Sequence, residues 1–355
     1  MSINNNVDLI DIEENKISPS AKIYSGCRLL GNNTSIDSNC ILGEEGPVIL
    51  DNCQLGRGVR LKGGYFKNSV FLNNSSIGSG AHIRGGTLLE EYSSAAHCVG
   101  FKQTILFPYV TAGSLINFCD AFISGGTDIK NHSEIGSSYI HFNYTLNQDK
   151  ATPSIFGNIS DGIFLNENPI FLGGQGGSVG PIQLAFGSKV AAGSILRNDY
   201  LKKNQIISEP HIKKCEKNFI HHFISDPKKI IKNNLNYLGT LNALYCWYSE
   251  VRSKYIKNEF DQRLIDGAKA LLIKSFEYRL KHFKHFYTDN LDKNISYLNI
   301  DDLRLINDFS FNSTNLMIKT DNYINDIKNI DSKVMIDLKK SLSEIINNFS
   351  LKIKE

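Results

Sequence analysis

The sequence of 355 residues lacks the features that mark several specialised classes of protein. No apolar run reaches the roughly 20 residues that a helix needs to span a bilayer. The N-terminal stretch has no basic segment followed by an apolar core, so it does not resemble a secretory signal. The 39 lysines and arginines nearly balance 36 acidic residues, which gives no net field for nucleic acid. We therefore expect a cytoplasmic protein that neither spans a membrane nor binds nucleic acid.

Cysteine is scarce and follows no paired pattern. The seven cysteines are an odd number, and none occurs in a Cys-x-x-Cys motif. A disulfide framework usually shows an even number of cysteines, and many metal sites use closely spaced pairs. We therefore expect reduced thiols, most of them buried in the core.

What the sequence does contain is an apolar side chain at about every sixth position. The series begins at Ile17, Ile23 and Leu29 and continues with small slips. Later members that we expect to face the interior include Ile41, Ile49, Ile105, Phe122, Ile129, Ile135 and Ile195. A six-residue period is typical of a parallel β-helix, in which each repeat supplies one short strand and one corner. The period predicts a mainly β fold over residues 1–205, with an inserted loop at 142–170.

The composition of residues 206–355 predicts a helical domain. Asp226 is suited to cap a helix that has Pro227 at its first position, and apolar residues then follow at spacings of three and four. Further helices are predicted around 260–286 and 332–350.

Two surfaces of these helices have a structural interpretation. The last helix carries apolar residues at 335, 338, 342, 345 and 349, which form a seam. That seam can pack against another subunit or against the helix of residues 235–255. A basic cluster at 281–285 is expected to lie on a solvated helix face.

Three residues are candidates for acid–base catalysis: His97, Asp120 and His141. His141 falls at a position of the six-residue series, where a polar side chain faces inward or lines a cleft. The structural alternatives are packed histidines and, for Asp120, the cap of a turn. His132 and His141 are half a coil apart, on different faces, which disfavours a shared metal ion. No metal is predicted.

A polar loop follows His141 and offers many hydrogen-bonding groups. It contains Asn143, Tyr144, Lys150 and Thr152. The aromatic side chain suits stacking on a sugar, and Lys150 can pair with a phosphate as a point charge. The alternative is an ordinary polar surface loop. We take these four residues as candidates for substrate binding.

These stretches resemble the bacterial hexapeptide-repeat acyltransferases. NYTLNQDKAT at 143–152 is similar to a loop in the acetyltransferase half of N-acetylglucosamine-1-phosphate uridyltransferase. The segment from 97 to about 251 resembles uncharacterised bacterial proteins named N-acetylglucosamine pyrophosphorylase-like. The resemblance implies a left-handed β-helix, a homotrimer with sites between subunits, and an acyl-CoA co-substrate. VAAGSIL at 190–196 resembles the coil near which acetyl-CoA lies, which implies cofactor contacts at Ala191, Ala192 and Gly193.

The resemblance also implies that Asn143, Tyr144 and Lys150 contact an amino sugar or its phosphate. The family's catalytic histidine, counted back from Asn143, falls on Asp120, so the base does not carry over. The nucleotidyltransferase half of the family is absent from the sequence. We expect an acyl-CoA-dependent acyltransferase acting on a sugar or sugar nucleotide. The alternative is a non-catalytic sugar-nucleotide-binding or scaffold protein of cell-envelope polysaccharide metabolism.

Overall fold

The fold is a parallel β-solenoid followed by helices, which confirms the predicted fold class. It comes from a computed structural model that describes residues 2–3, 6–145, 147–209, 214–216, 218, 220, 224, 226–290, 298, 300–305, 311, 320 and 322–351. Each turn of the solenoid contributes a short strand to each of three faces, called faces 1, 2 and 3. The left-handed sense and the domain boundary at 205 stay predictions.

Face 1 is a sheet of eleven strands within the described residues. They are β1 (Ser2–Ile3), β3 (Lys22–Ile23), β6 (Ile41–Leu42), β9 (Arg60–Leu61), β12 (Ser76–Ile77), β15 (Ser94–Ala95), β17 (Val110–Ala112), β19 (Ser133–Ile135), β22 (Phe171–Leu172), β25 (Lys189–Val190) and β27 (Ile206–Ile207). All of their pairings are parallel.

Faces 2 and 3 form a second sheet because two of its strands pass through their common corner. Face 2 contains β2 (Asp8–Ile10), β4 (Arg28–Leu30), β7 (Val48–Asp51), β10 (Gly64–Lys67), β13 (Ala81–Ile83), β20 (Ile140–Phe142), β23 (Gly177–Val179) and β26 (Ile195–Leu196). Face 3 contains β5 (Ser35–Ile36), β8 (Gln54–Leu55), β11 (Ser69–Phe71), β14 (Thr87–Leu89), β21 (Ser154–Phe156) and β24 (Gln183–Leu184). The two corner-crossing strands are β16 (Gly100–Leu106) and β18 (Asn117–Ile123).

The six-residue series predicts the interior only where the coils have regular length. Ile41 is half-buried, whereas its neighbour Leu42 is fully buried in the interior. Leu42 pairs with Ile23 and Leu61, each 19 positions away. One extra residue in a coil moves the side chain to the opposite side of its strand. The prediction was also wrong at Ile49 and Ile195, which are half-buried beside the interior residues Leu50 and Leu196.

Three other members of the series are also misplaced. Ile105 and Phe122 are buried, but they face the helices rather than the solenoid interior. Ile129 is 65% exposed, in an excursion between β18 and β19. An apolar residue in an excursion or under a helix can fall on the six-residue spacing by chance. The sequence alone does not distinguish such residues from those that face the interior. Within the predicted inserted loop, β21 returns to face 3.

The described helices are α1 (Ile159–Gly162), α2 (Pro227–Glu250), α3 (Glu259–Asn290), α4 (Tyr323–Lys328) and α5 (Ser332–Ser350). As predicted, Asp226 caps α2, and its side chain accepts a hydrogen bond from the Lys229 amide. Apolar residues of α2, α3 and α5 form a second core with the outer side of face 3. The seam of α5 is buried within the chain, where α5 packs closely on Gly239 of α2.

Helix α3 runs along the solenoid axis, and the rise of twelve of its residues is close to the height of four coils. A side chain at Gly267 would collide with Gln54, and Arg279 reaches Asp120 four coils further on. Four strand spacings of about 4.8 Å give about 19 Å. Twelve helical residues rise about 18 Å. The match allows side chains of α3 to meet successive coils in order.

Candidate functional site

Asp120 lies at the corner between faces 2 and 3 and is the centre of a buried polar contact. It has a φ of 60° within β18 and is 1% exposed. Its Oδ1 atom lies 2.9 Å from Nη2 of Arg279, an ion pair whose atoms are close without being aligned as a hydrogen bond. Asn143 donates a hydrogen bond to the other carboxylate oxygen over 2.8 Å. The predicted loop is thereby tied to both the solenoid and α3.

Two further cations lie beside this contact. Arg84 and Lys102 occupy equivalent positions in successive coils, because the residues that precede them pair in register. Neighbouring strands are about 4.8 Å apart. Arg84 donates to the Cys119 sulfur over 3.5 Å, and Lys102 donates to the Tyr278 hydroxyl over 2.8 Å. We call the whole group the corner cluster, and it consists of Arg84, Lys102, Asp120, Asn143, Lys150, Arg279 and His282.

His282 adds a neutral nitrogen base to the corner cluster. Its ring is half-buried and packs edge-on against Tyr278, with 4.5 Å between the ring centroids. Burial lowers the pKa of His282, the charges of Arg279 and Lys150 lower it further, and Asp120 acts in the opposite direction. The imidazole is therefore unprotonated at pH 7 and able to accept a proton.

Local sequence patterns revealed Lys150 but not the other members of this cluster that carry a basic side chain, which are Arg84, Lys102, Arg279 and His282. His282 belongs to the basic stretch that was expected to lie on a solvated helix face. Arg84 and Lys102 are 18 residues apart, which is the length of one regular coil. That spacing is the signal by which two stacked cations can be found in such a sequence.

His141 faces the interior of the solenoid, one of the two placements that the sequence allowed. It is 1% exposed, and its ring packs against Phe118 and Phe156. Its Nε2 atom lies 2.7 Å from the hydroxyl oxygen of Ser154, which also accepts a bond from the Ile182 amide. Burial lowers the pKa of His141 to about 4, so the ring is neutral. A base role requires the coil to open and stays a prediction.

His97 lies on another corner, between faces 1 and 2, and is exposed. Its Nδ1 atom is 3.1 Å from the Ser114 hydroxyl oxygen in the next coil. About four residues of extended chain on the same coil separate His97 from Lys102. At about 3.3 Å per residue, the two lie roughly 15 Å apart across face 2. The structure does not bring His97 into the corner cluster of its own chain.

The predicted cofactor residues share the corner of His97. Ala192 and Gly193 are exposed, Ala191 is half-buried, and a side chain at Gly193 would meet no atom within 4 Å. Paired strands of face 1 place them four coils from His97. Four strand spacings correspond to about 19 Å along the solenoid. The corner is open at Gly193, whereas Gly136 and Gly173, on the coils between, are buried against the next coil.

The remaining loop residues divide into exposed and buried ones. Tyr144 is 70% exposed, and the Lys150 side chain is also exposed. The Lys150 backbone oxygen accepts a hydrogen bond of 3.5 Å from Arg279. Thr152 is fully buried, and within the described chain its hydroxyl has no hydrogen-bond partner. Of the four predicted binding residues, Asn143 and Lys150 join the corner cluster.

No protein-family model and no curated protein matches this sequence. The solenoid itself is typical of the hexapeptide-repeat acyltransferases. Among the residues that the structure describes, no three His, Cys, Asp or Glu side chains are grouped to hold a metal ion. The same residues include no helix that is long and apolar enough to cross a membrane. Seven free cysteines include five buried ones, in agreement with the prediction of mostly buried thiols.

Proposed function

We propose that the protein binds a phosphorylated sugar or sugar nucleotide at the corner cluster and transfers an acyl group to it from an acyl-CoA. The observation that carries the proposal is the excess of positive charge in the cluster. Arg84, Lys102 and Arg279 lie around one carboxylate, that of Asp120, and the charge of Lys150 acts on His282 beside them. Asp149, the other carboxylate of the loop, binds the backbone amide of Ala151.

The cluster suits a phosphate because most of its positive charges are not paired with a carboxylate. The ion pair with Asp120 largely neutralises Arg279. Arg84 and Lys150 are exposed, and Lys102 is half-buried with its ammonium group on a neutral hydroxyl. An arginine fork and point-charge lysines at this spacing suit the oxygens of a phosphate or pyrophosphate. The corner cluster therefore favours an anionic ligand.

The loop next to the cluster suits the sugar part of such a ligand. Phe142 and Tyr144 are 37% and 70% exposed, so their rings are available for contact with the apolar side of a sugar ring. Within the part of the chain that the structure describes, the side-chain oxygen of Asn143 has no hydrogen-bond partner, and it can accept from a hydroxyl or an acetamido N–H group. We therefore retain Asn143, Tyr144 and Lys150 as proposed substrate-binding residues.

His282 takes the role of general base in this proposal. Its neutral imidazole accepts the proton of a sugar amine or hydroxyl while that group attacks the thioester carbonyl. The new bond is an amide or ester, the carbon–sulfur bond breaks, and the CoA thiolate leaves and takes up a proton. General-base catalysis of this kind contributes about 10²–10⁴-fold. His282 thereby replaces the histidine that the resemblance places at Asp120.

We place the acyl donor at the corner of Ala191, Ala192 and Gly193, where a side chain at Gly193 would meet no atom within 4 Å. That corner and the corner cluster lie on opposite edges of face 2, so one chain does not join them. A second copy that packs against face 2 brings one chain's donor corner to its neighbour's cluster. Exposed Leu115 and Ile140 on this side support such packing, and a homotrimer is the assembly that we propose.

The alternative is a non-catalytic sugar-nucleotide-binding protein. One observation favours it: Asp120, at the position of the family's base, is engaged by Arg279 and Asn143. Both proposals require phosphorylated-sugar binding, but only the transferase requires an acyl-CoA.

Calorimetric titration separates these possibilities, with glucosamine 1-phosphate, UDP-N-acetylglucosamine and acetyl-CoA as ligands. Lys102→Met should weaken binding of the phosphorylated sugar about 10- to 100-fold, because a hydrogen bond from a charged group is lost. Lys62→Met is the matched control, because Lys62 pairs with Glu45 away from the cluster. Equal effects of the two substitutions would rule out the corner cluster as the phosphate site.

Turnover then decides between enzyme and binding protein. Mass spectrometry of sugar plus acetyl-CoA should show acylation, and His282→Gln should lower kcat about 10²–10⁴-fold with little change in sugar binding. The rate should rise with pH through the lowered pKa of His282, as the imidazole loses its proton. Sugar binding without acetyl-CoA binding or turnover would establish the non-catalytic alternative.

A further inference from the structure

A half-open cavity lies between the first half of α3 and the corner of faces 2 and 3, and the proposed function does not use it. Its volume of about 480 Å³ falls within the range of about 300–1,000 Å³ that is typical of small-molecule sites. No residue of the corner cluster lines it. Asn68, which does, is three coils from Asp120, or about 14 Å along the axis. The cavity is therefore separate from the corner cluster.

Amide side chains form the solenoid wall of this cavity. Asn33, Asn52 and Asn68 each precede by two residues a position of face 3 that pairs in register, so they are stacked about 4.8 Å apart. The Asn52 amide is engaged, because it donates to Asp51 and accepts from the Asn33 backbone. Asn33 and Asn68 are exposed, and within the described chain their side chains make no hydrogen bond. Each can donate to a ligand and accept from it.

Gln54 adds a hydrogen-bond acceptor between these amides and α3. Its Nε2 atom donates to the Asn33 backbone oxygen, which fixes the amide and leaves Oε1 without a partner in the described residues. Gln54 is 8% exposed, and its Oε1 atom is still within reach of water. A Cβ at Gly267 would come within 2.4 Å of this oxygen. Glycine is unfavourable inside a helix, but here it keeps the space beside Oε1 open.

The charged residues of the lining leave one positive charge uncompensated. Three of the four have partners of opposite charge: Lys16 with Glu13 at 2.8 Å, Arg263 with Glu259 at 2.8 Å and Asp266 with Lys269 at 4.0 Å. The fourth, Lys274, is exposed and forms no ion pair or hydrogen bond within the part of the chain that the structure describes. A ligand with one negative charge therefore matches the lining.

The lining also favours a ligand rich in hydroxyl groups. Val70 and Leu271 are 1% and 6% exposed, so they offer little apolar surface, and none of the described residues of the lining is aromatic. Peptides are usually recognised through pockets for their side chains, and nucleobases through stacking on rings. A hydroxyl group both donates and accepts, as the amides of Asn33 and Asn68 do. An acidic peptide is the competing class of ligand.

We propose that the cavity binds a short acidic sugar chain, with the carboxylate of a uronic acid on Lys274. Its hydroxyl groups exchange hydrogen bonds with Asn33 and Asn68 and donate to Oε1 of Gln54. Gln54 lies opposite Gly267, and the helix rises about 10 Å from Gly267 to Lys274. Groups this far apart suit a chain of two rings better than a single ring.

The test is calorimetric titration of the full-length protein, with saturation-transfer NMR of the ligand. The probes are the disaccharide of galacturonic acid, a disaccharide that contains glucuronic acid, the neutral methyl esters of both, and the peptide Ala-Asp-Ala. At least one acidic disaccharide should bind saturably, and its ester should bind about 10-fold more weakly or less, because the charge for Lys274 is lost. These probes carry no phosphate, so failure of the proposed phosphate site would not affect the result.

Two variants with matched controls locate the binding. Lys274→Met should weaken it about 10- to 100-fold, and Lys281→Met is the control, an exposed lysine of α3 outside the cavity. Asn68→Gly should weaken it about 3- to 10-fold, because one neutral hydrogen-bonding group is lost. Asn68 has a φ of 46°, which glycine adopts readily. Its control is Asn39→Gly, at a φ of 58° on the corner of faces 3 and 1.

The outcomes are distinct. The proposal is supported if Lys274→Met and Asn68→Gly weaken binding of the acidic sugar while Lys281→Met, Asn39→Gly and Lys102→Met leave it unchanged. It is overturned if neither acidic disaccharide binds, if the esters bind equally well, if only the peptide binds, or if the two cavity variants have no effect. Circular dichroism of each variant at the assay temperature verifies that the fold is retained.

Discussion

The helices hold the solenoid through two buried ion pairs that differ in their balance of charge. At the corner cluster, Arg279 faces the single carboxylate of Asp120, whose other oxygen takes a bond from Asn143. At the corner between faces 3 and 1, Arg252 faces the two adjacent carboxyl groups of Glu90 and Glu91. The Arg279–Asp120 pair has equal charges of both signs, whereas the group around Arg252 contains one acid more than it has cations.

The excess of acid around Arg252 changes the protonation of Glu90. Burial raises the pKa of Glu90 to about 7, and the neighbouring charge of Glu91 contributes in the same direction, while Arg252 opposes both. The Tyr248 hydroxyl donates a hydrogen bond of 2.7 Å to Oε1 of Glu90. The balanced pair ties a loop to α3, whereas the excess of acid at the second pair makes stability depend on pH. Four changes test this comparison.

Removal of Arg279 should have the largest effect. Arg279→Met leaves Asp120 as a buried charge without its cation, which typically costs about 3–5 kcal/mol of unfolding free energy. Urea unfolding at pH 7.5 measures the loss. Lys281→Met, an exposed position on the same helix, is the control and should change stability little. A loss below about 1 kcal/mol would mean that the pair is not essential to the contact.

Substitution of Glu90 should change the pH profile of stability. Its pKa is raised in the folded state, from 4.5 to about 7, so its contribution is present at low pH and lost as pH rises through this window. Glu90→Gln keeps an acceptor for Tyr248 and removes the titration. The variant should be more stable than the unsubstituted protein by up to about 3 kcal/mol at pH 8. Parallel profiles of the two proteins would contradict the assignment.

His141 provides a third buried group, inside the solenoid, where burial is the largest cause of its shifted pKa. Its pKa is lowered from 6.5 to about 4, so stability is lost as pH falls through this window. His141→Leu should unfold similarly at pH 7.5 and exceed the unsubstituted protein by about 2 kcal/mol at pH 5. Acid unfolding followed by circular dichroism measures both. An unchanged acid transition would place the sensitivity elsewhere.

An exposed ion pair gives the smallest effect and sets the scale for the buried ones. Arg60 lies 2.9 Å from Glu44, and the Arg60 side chain is about half exposed. Because solvent screens such a pair, Arg60→Ala should cost less than about 1 kcal/mol. Thermal unfolding at low and high salt provides the measurement. A loss as large as that of Arg279→Met would remove the distinction between buried and exposed pairs.

Sequence patterns predicted the solenoid because its information is local. The six-residue spacing repeats the same small structural unit, and the coil needs no distant partner to define its strands. The same patterns placed Asn143 and Lys150 near a polar corner. They failed at Ile41 and Ile105, where a coil of different length or a covering helix decides which side is buried.

Only the part of the candidate site that lies on the solenoid was open to prediction from the sequence. Asn143 and Asp120 belong to adjacent coils, so a repeat pattern can bring them close. Arg279 and His282 come from a helix whose basic residues look like any solvated helix face. Nothing in the local sequence states which coil that helix covers.

The sequence by itself therefore determined the coil and the long helices α2, α3 and α5, since each depends on spacings within one repeat or one helical turn. Tertiary structure alone decided which charges meet. Arg279 pairs with Asp120 because α3 lies along face 3 in one register, and about 18 Å of helical rise matches four coils. Such a contact depends on how a long helix is aligned with several coils. That alignment is set by tertiary packing, and no local sequence pattern encodes it.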